Sequence, residues 1–377
     1  MGEYRLLGKS EKTQQLIRAN NSFTRESTKI AKGFAIVLML CHHLFAFPDR
    51  IGANASYIPM FTVGGVSIEQ WFGIYGGLCV YVFVCLGGYG TYISLKKSEN
   101  MFSSLKTKIK QLYFSYWKVF AVFIPICMLL SAPRVEKNLY PFIMNFLGLS
   151  SSYNGEWWFF LPYVIVIMLF PVIFRFIERK HGYFFGDLLL IAVVQYTNAY
   201  ILPVVLKYSI FQNVQGTLFL DCINKVTLIL PSFLFGCVCA KYNLFEGFLK
   251  LFKNRFVMIL SSLGILLLSF YFRKKTQMNF DFLIAPLVSV ASVGFIQNIK
   301  PLRILFSKIG NQSTNIWLIH SFYCYALCQE FIYAPKYSIL ILILLIIVSY
   351  ISGILLDSIW DPKNTLKKIK EYAKIKI

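Results

Sequence analysis

Charge is scarce in this sequence. Only 15% of its 377 residues are Asp, Glu, Lys or Arg, while 57% are hydrophobic. A typical soluble domain carries about 25% charge, so an ordinary water-soluble globule is excluded. Polar stretches long enough to fold on their own are also lacking between the apolar blocks, which confines any chemistry to a helix bundle or its mouths. Nine cysteines are present, but none pair at CxxC spacing. They lie mostly inside apolar segments, as small buried hydrophobes do. Neither a disulfide nor a zinc or other metal site is expected. No internal repeat is visible, which counts against a transporter built from paired halves. The first 28 residues lack the apolar core of a cleavable signal peptide, so insertion into the membrane through the chain's own helices is expected.

What the sequence has in quantity is apolar blocks long enough to cross a bilayer, which takes roughly 20 residues. Ten helices are predicted, at about 30–48, 70–95, 111–131, 156–177, 183–205, 217–241, 255–272, 279–297, 311–333 and 338–358. The expected fold is therefore all-α, a polytopic membrane bundle of about ten helices. A membrane domain over 29–358 is flanked by a tail at 1–28 and a basic tail at 359–377. The fifth and sixth helices are the least regular, because Asp221 and Lys225 fall near the start of the sixth. The net charge of +21 forms no basic face with interleaved aromatics, so nucleic acid is not an expected partner. Lys and Arg instead cluster between alternate spans. One side of the membrane receives 28 of the 38, and the other receives 8. By the positive-inside rule both termini are expected to face the cytoplasm. Arg273, Lys274 and Lys275 run against this pattern.

Histidine is rarer still, with four in the chain. Two are adjacent in Lys32–Phe45, KGFAIVLMLCHHLF, inside an apolar run. At about 100° per residue, Lys32 and His43 differ by only about 20°, and they stand roughly 16 Å apart along the axis. His42 lies about 80° to the other side. One face thus joins a cation at the membrane edge to an imidazole near mid-membrane, and an ionisable residue at that depth marks a functional pathway by default. A neutral histidine satisfied by a neighbouring helix is the alternative, more so for His42.

KGFAIVLMLCHHLF resembles the first helix of membrane-bound acyltransferase family three, the integral-membrane O-acyltransferases of bacterial surface sugars. That family shows Arg or Lys, ten residues, then His, a spacing that Lys32 and His43 match and His42 misses by one. Lys stands where Arg is commoner and is a point charge without Arg's bidentate fork. Four further stretches resemble the family in order: YVFVCLGGYGTY (81–92), KTKIKQLYFSYW (106–117), NGEWWFFLPYVIVIMLFP (154–171) and IGNQSTNIWLIHSF (309–322). The basic run offers lysines in place of paired arginines, so Lys106, Lys108 and Lys110 do not align uniquely.

The resemblance implies transfer of an acyl group, acetyl foremost, from cytoplasmic acyl-CoA to a hydroxyl of an envelope or exported polysaccharide, with no tightly bound cofactor. Such transfer needs a base for the hydroxyl proton and stabilisation of the oxyanion. Histidine suits the first role. His43 is the expected base or transient acyl carrier, with Glu156 and His320 as further catalytic candidates. Lys32, Lys106, Lys108 and Lys110 are the candidates for the CoA phosphates, although lysines there also simply obey the positive-inside rule. Trp157, Trp158 and Tyr89 are the saccharide candidates. The two Trp residues also fit an interfacial aromatic belt, and Tyr89 fits close helix packing among glycines. His181 is given no role. Expected partners are acyl-CoA, a saccharide or lipid-linked saccharide, membrane lipids and other polysaccharide-assembly proteins. A flippase of lipid-linked sugars is the alternative. A polysaccharide polymerase is a third reading, disfavoured because the largest external segment spans only 132–155.

Overall fold

A computed structural model describes residues 22–179, 183–205, 218–276 and 279–360. The tail residues up to 21 and from 361, and His181, lie outside the described residues. The chain opens with helix α1 (Arg25–Phe45), whose start is fixed by a reciprocal capping box between Thr24 and Ser27, satisfying donors that a helix end otherwise leaves bare. A short 3₁₀ turn (Pro48–Arg50) and a two-stranded ribbon, β1 (Thr62–Val63) with β2 (Val66–Ser67), lead into α2 (Ile68–Gly76) and α3 (Cys79–Lys96). Next come α4 (Met101–Leu129), α5 (Leu139–Phe146), a 3₁₀ turn at Gly155–Phe159, α6 (Phe160–Met168), α7 (Phe170–Ile177), α8 (Phe184–Tyr196) and α9 (Leu202–Val205). The second half holds α10 (Leu218–Lys241), α11 (Leu244–Leu251), α12 (Arg255–Thr276), α13 (Asp281–Ile296), α14 (Lys300–Asn311), α15 (Ser313–Ser321), α16 (Gln329–Tyr333) and α17 (Ser338–Trp360).

Each of the ten predicted ranges meets helix, but not always a full span. Among the described residues, seven helical stretches are long and apolar enough to cross a membrane, or eight if the bent pair Gly155–Met168 and Phe170–Ile177 counts as one. The remaining two ranges fall short for visible reasons. Asp281–Ile296 has only 16 residues. The ninth range is broken: α15 passes through a π-helical turn at Phe322–Leu327 before the short α16. The π-turn stands next to His320, and such bulges are frequent at functional sites.

Small residues set the helix spacing. A Cβ at Gly33 of α1 would meet the Phe306 carbonyl oxygen of α14 at 2.0 Å, and one at Gly310 of α14 would meet the Lys29 carbonyl oxygen at 1.8 Å. Gly88 of α3 and Gly236 of α10 make the same kind of approach, at 2.1 and 1.9 Å from the Phe233 and Cys85 carbonyl oxygens. Packing through bare backbone suits a lipid setting, where apolar side chains gain little by leaving the hydrocarbon. The irregular sixth helix is explained by Lys225 Nζ, 2.6 Å from Asp221 Oδ2 one turn away.

Some of the buried charge is paired. Lys118 of α4 meets Asp357 of α17 at 2.6 Å, and Gln312 donates to the same carboxylate at 3.2 Å. Removing one partner of such a pair leaves the other uncompensated. Asp357→Ala is expected to lower stability by on the order of 3 kcal/mol, read as an earlier thermal transition of the purified chain. An unchanged transition would mean that water already compensates Lys118.

Candidate active site

The C-terminal part of α1 carries both central histidines. His42 Nδ1 lies 2.8 Å from the Gly73 carbonyl oxygen. A carbonyl only accepts, so Nδ1 holds the proton and Nε2 keeps a lone pair. His320 on α15 is fixed in the same way, with Nδ1 2.8 Å from the Trp317 carbonyl oxygen. Its Nε2 is buried and has no partner among the described residues. The His43 ring lies between these two, 5.1 Å from the His42 ring centroid and 4.8 Å from that of His320.

His43 has two polar side-chain neighbours. The Tyr325 hydroxyl donates to the His43 carbonyl oxygen at 2.6 Å, which turns its lone pairs toward His43 Nδ1 at 3.4 Å. Glu156 Oε2 stands 3.4 Å from His43 Nε2. The same carboxylate faces Arg50, whose Nη1 is 3.4 Å from Oε1. Arg50 in turn lies over the Phe47 ring, 4.0 Å from its centroid. Glu156 is positioned by its own turn: Asn154 accepts from its amide, and the Trp317 indole donates to its carbonyl at 3.2 Å.

Two cavities meet at this cluster. One, of about 400 Å³, reaches from Lys32 along α1 to His42, His43, Glu156 and Arg273. The second, of about 320 Å³, is lined by His42, His43, Glu156 and Trp158 together with Arg50 and Arg134. His43 and Glu156 therefore border both. The Lys32–His43 face predicted from helical spacing is the wall of the first cavity, so the ring is directed away from lipid.

The other sequence candidates divide clearly. Lys32 lines the first cavity, and the half-buried Lys108 sits nearby, 3.5 Å from the Thr91 hydroxyl and within electrostatic reach of Lys32. Lys106 and Lys110 are exposed and line neither cavity. Trp158 borders both cavities. Trp157 does not: it is 2% exposed, donates to the Leu318 carbonyl at 3.0 Å and packs on Tyr116. Tyr89 is stacked on Phe245 and edge-on to Phe23, away from both cavities. Its place among glycines is a packing position. For Trp157 and Tyr89 the arrangement is that of core side chains, with no face left for a saccharide.

A family model described as an acyltransferase domain matches residues 26–358. The chain belongs to acyltransferase family 3. As a family member with several apolar membrane-length helices it is a multi-pass membrane acyltransferase, and nothing supports the transporter alternative. Comparison with curated proteins and with solved structures gives no match.

Several residues beside His43 and the two cavities fall outside the sequence candidates. His42 misses the family spacing by one, yet it borders both cavities with Nε2 unpartnered among the described residues. Arg50 and Tyr325 sit outside any motif, and no sequence signal singles them out. Arg273 did leave a signal, as part of the one basic run on the wrong side of the charge pattern.

Proposed function

We propose that this family member is an O-acyltransferase that moves an acyl group, acetyl in the first instance, from cytoplasmic acyl-CoA to a hydroxyl of an exported or envelope saccharide. The observation that carries the reading is the position of His43 at the junction of two cavities, one with Lys32 along it and the other rimmed by Arg50 and Arg134. Both termini are taken as cytoplasmic, from the bias of Lys and Arg, which puts the Lys32 end on the donor side. The acceptor, free or lipid-linked, then approaches from the Arg50 side. Membrane lipids and polysaccharide-assembly proteins are the remaining partners in this reading.

In the reaction, His43 Nε2 takes the proton of the acceptor hydroxyl as its oxygen attacks the thioester carbonyl carbon. Tyr325 faces Nδ1, an arrangement in which Nδ1 keeps its proton and Nε2 is free to accept. Glu156, 3.4 Å away, stabilises the imidazolium that results. Glu156 faces the same nitrogen that takes the proton, so it balances the charge formed there while Tyr325 sets the tautomer. Collapse of the tetrahedral intermediate breaks the C–S bond, and the CoA thiolate recovers the proton from His43. His42 is the second candidate base, because its lone pair is also unpartnered.

The donor assignment has its own test. In a Lys32→Ala/Lys108→Ala variant, KM for acyl-CoA is expected to rise about tenfold or more, the scale of one or two lost charged hydrogen bonds. Turnover at saturation should change little. An unchanged KM would mean that these lysines only orient the chain in the membrane.

A further inference from the structure

One deeply buried charge takes no part in the chemistry above. Arg273, near the end of α12, is only 4% exposed. Asp281 at the start of α13 accepts from its Nε at 2.8 Å and from Nη2 at 2.9 Å. The Ile74 carbonyl at the end of α2 accepts from Nη1 at 2.5 Å. A guanidinium carries five N–H donors in a fixed plane. These contacts occupy three, which leaves one N–H on each of Nη1 and Nη2. Arg273 lines the same cavity as Lys32, His42 and His43. Gly77 lines the cavity beside it, and a Cβ there would come 3.4 Å from Nη2 and 3.2 Å from His42 Cε1. The cavity wall around it is largely apolar, with Met39, Ile74, Val80 and Phe83. The two spare N–H groups thus belong to a side chain on the wall of a cavity that also reaches His43.

We propose that Arg273 is a catalytic residue that receives the carbonyl oxygen of the donor thioester. The assignment rests on the reading of acyl-CoA as donor. As the acceptor oxygen forms its bond to the carbonyl carbon and His43 takes the proton, the C=O π pair moves onto the carbonyl oxygen. The two spare N–H groups meet that developing oxyanion. When the carbonyl re-forms, the C–S bond breaks and its pair leaves on CoA sulfur, which takes the proton back from His43. Donors held rigid in an apolar site do this work best, because they need no reorganisation as charge appears. Asp281 is a positioning residue that fixes the guanidinium plane.

The test uses the full chain in lipid nanodiscs and two donor analogues. S-ethyl-CoA has no carbonyl, and trifluoroacetonyl-CoA presents a hydrated ketone resembling the tetrahedral intermediate. Three variants are compared: Arg273→Lys, the charge-neutral double Arg273→Gln/Asp281→Asn, and Gly77→Ala, which leaves the ion pair intact but crowds the cavity beside it. Each is expected to bind S-ethyl-CoA within about twofold of wild type and to lose about tenfold or more for the ketone. Turnover should fall by about 10²-fold at little-changed KM, the usual scale for one lost oxyanion donor. Equal loss for both analogues, or full retention of both in the folded variants, overturns the assignment. Failure of the wild type to bind either analogue removes the donor reading, and the assignment falls with it.

Discussion

His43→Ala is expected to lower acyl transfer by about 10²–10⁴-fold, the range over which a positioned base contributes. The protein should still fold, since the side chain borders open cavity on two sides and makes only long polar contacts, at 3.4 Å to Tyr325 and Glu156. His42→Ala discriminates. With Nδ1 tied to the Gly73 carbonyl at 2.8 Å, its loss should loosen the α1–α2 contact and cost activity modestly. The measurement is single-turnover transfer of labelled acetyl, alongside a check that each variant elutes as a single folded species. Full activity in His43→Ala, or a larger loss in His42→Ala, would transfer the base role to His42.

A large structural effect is expected at Gly236. A Cβ there would stand 1.9 Å from the Cys85 carbonyl oxygen and 2.9 Å from the Tyr89 amide nitrogen, and both are backbone atoms that cannot rotate away. Gly236→Val must push α10 off α3, at a cost of about 3 kcal/mol or more, the upper end of overpacking. Because α3 also carries Cys79, Tyr81 and Gly87 on the cavity wall, activity should disappear with the fold. The expected readout is loss of the monodisperse peak in detergent. Gly90→Ala is the matched control, since nothing lies within 4 Å of its Cβ position. It should be neutral or stabilising by up to about 1 kcal/mol. A folded, active Gly236→Val would mean that the two helices have slack.

Much of this was legible in the sequence because membrane helices announce themselves through length and apolarity, and helical periodicity is rigid. Spacing alone placed Lys32 and His43 on one face, and that face is the cavity wall. The ordered motifs of the family brought Glu156 and His320 into consideration, and the fold brings both to His43. What was not legible depends on contacts between distant segments. Arg50 reaches Glu156 across more than a hundred residues, and Tyr325 reaches the His43 carbonyl across an even longer interval. No periodicity carries that information. The RKK run was visible as an anomaly of charge, but the partner that draws Arg273 inward lies beyond the turn between α12 and α13. Trp157 and Tyr89 illustrate the opposite limit. An aromatic ring beside a carboxylate or a glycine looks alike in sequence whether it faces a sugar or the core, and here both are packed among other rings. The count of spans was limited by local breaks, such as the π-turn after α15, that composition does not reveal.

The most direct test of the account is transfer across a sealed membrane. The chain is reconstituted in proteoliposomes in one orientation, with labelled acetyl-CoA supplied only on the Lys32 side and a saccharide acceptor only on the Arg50 side. Label should appear in the saccharide, and His43→Ala should abolish it. Label that reaches the saccharide only when both substrates share one compartment would contradict two cavities meeting at His43.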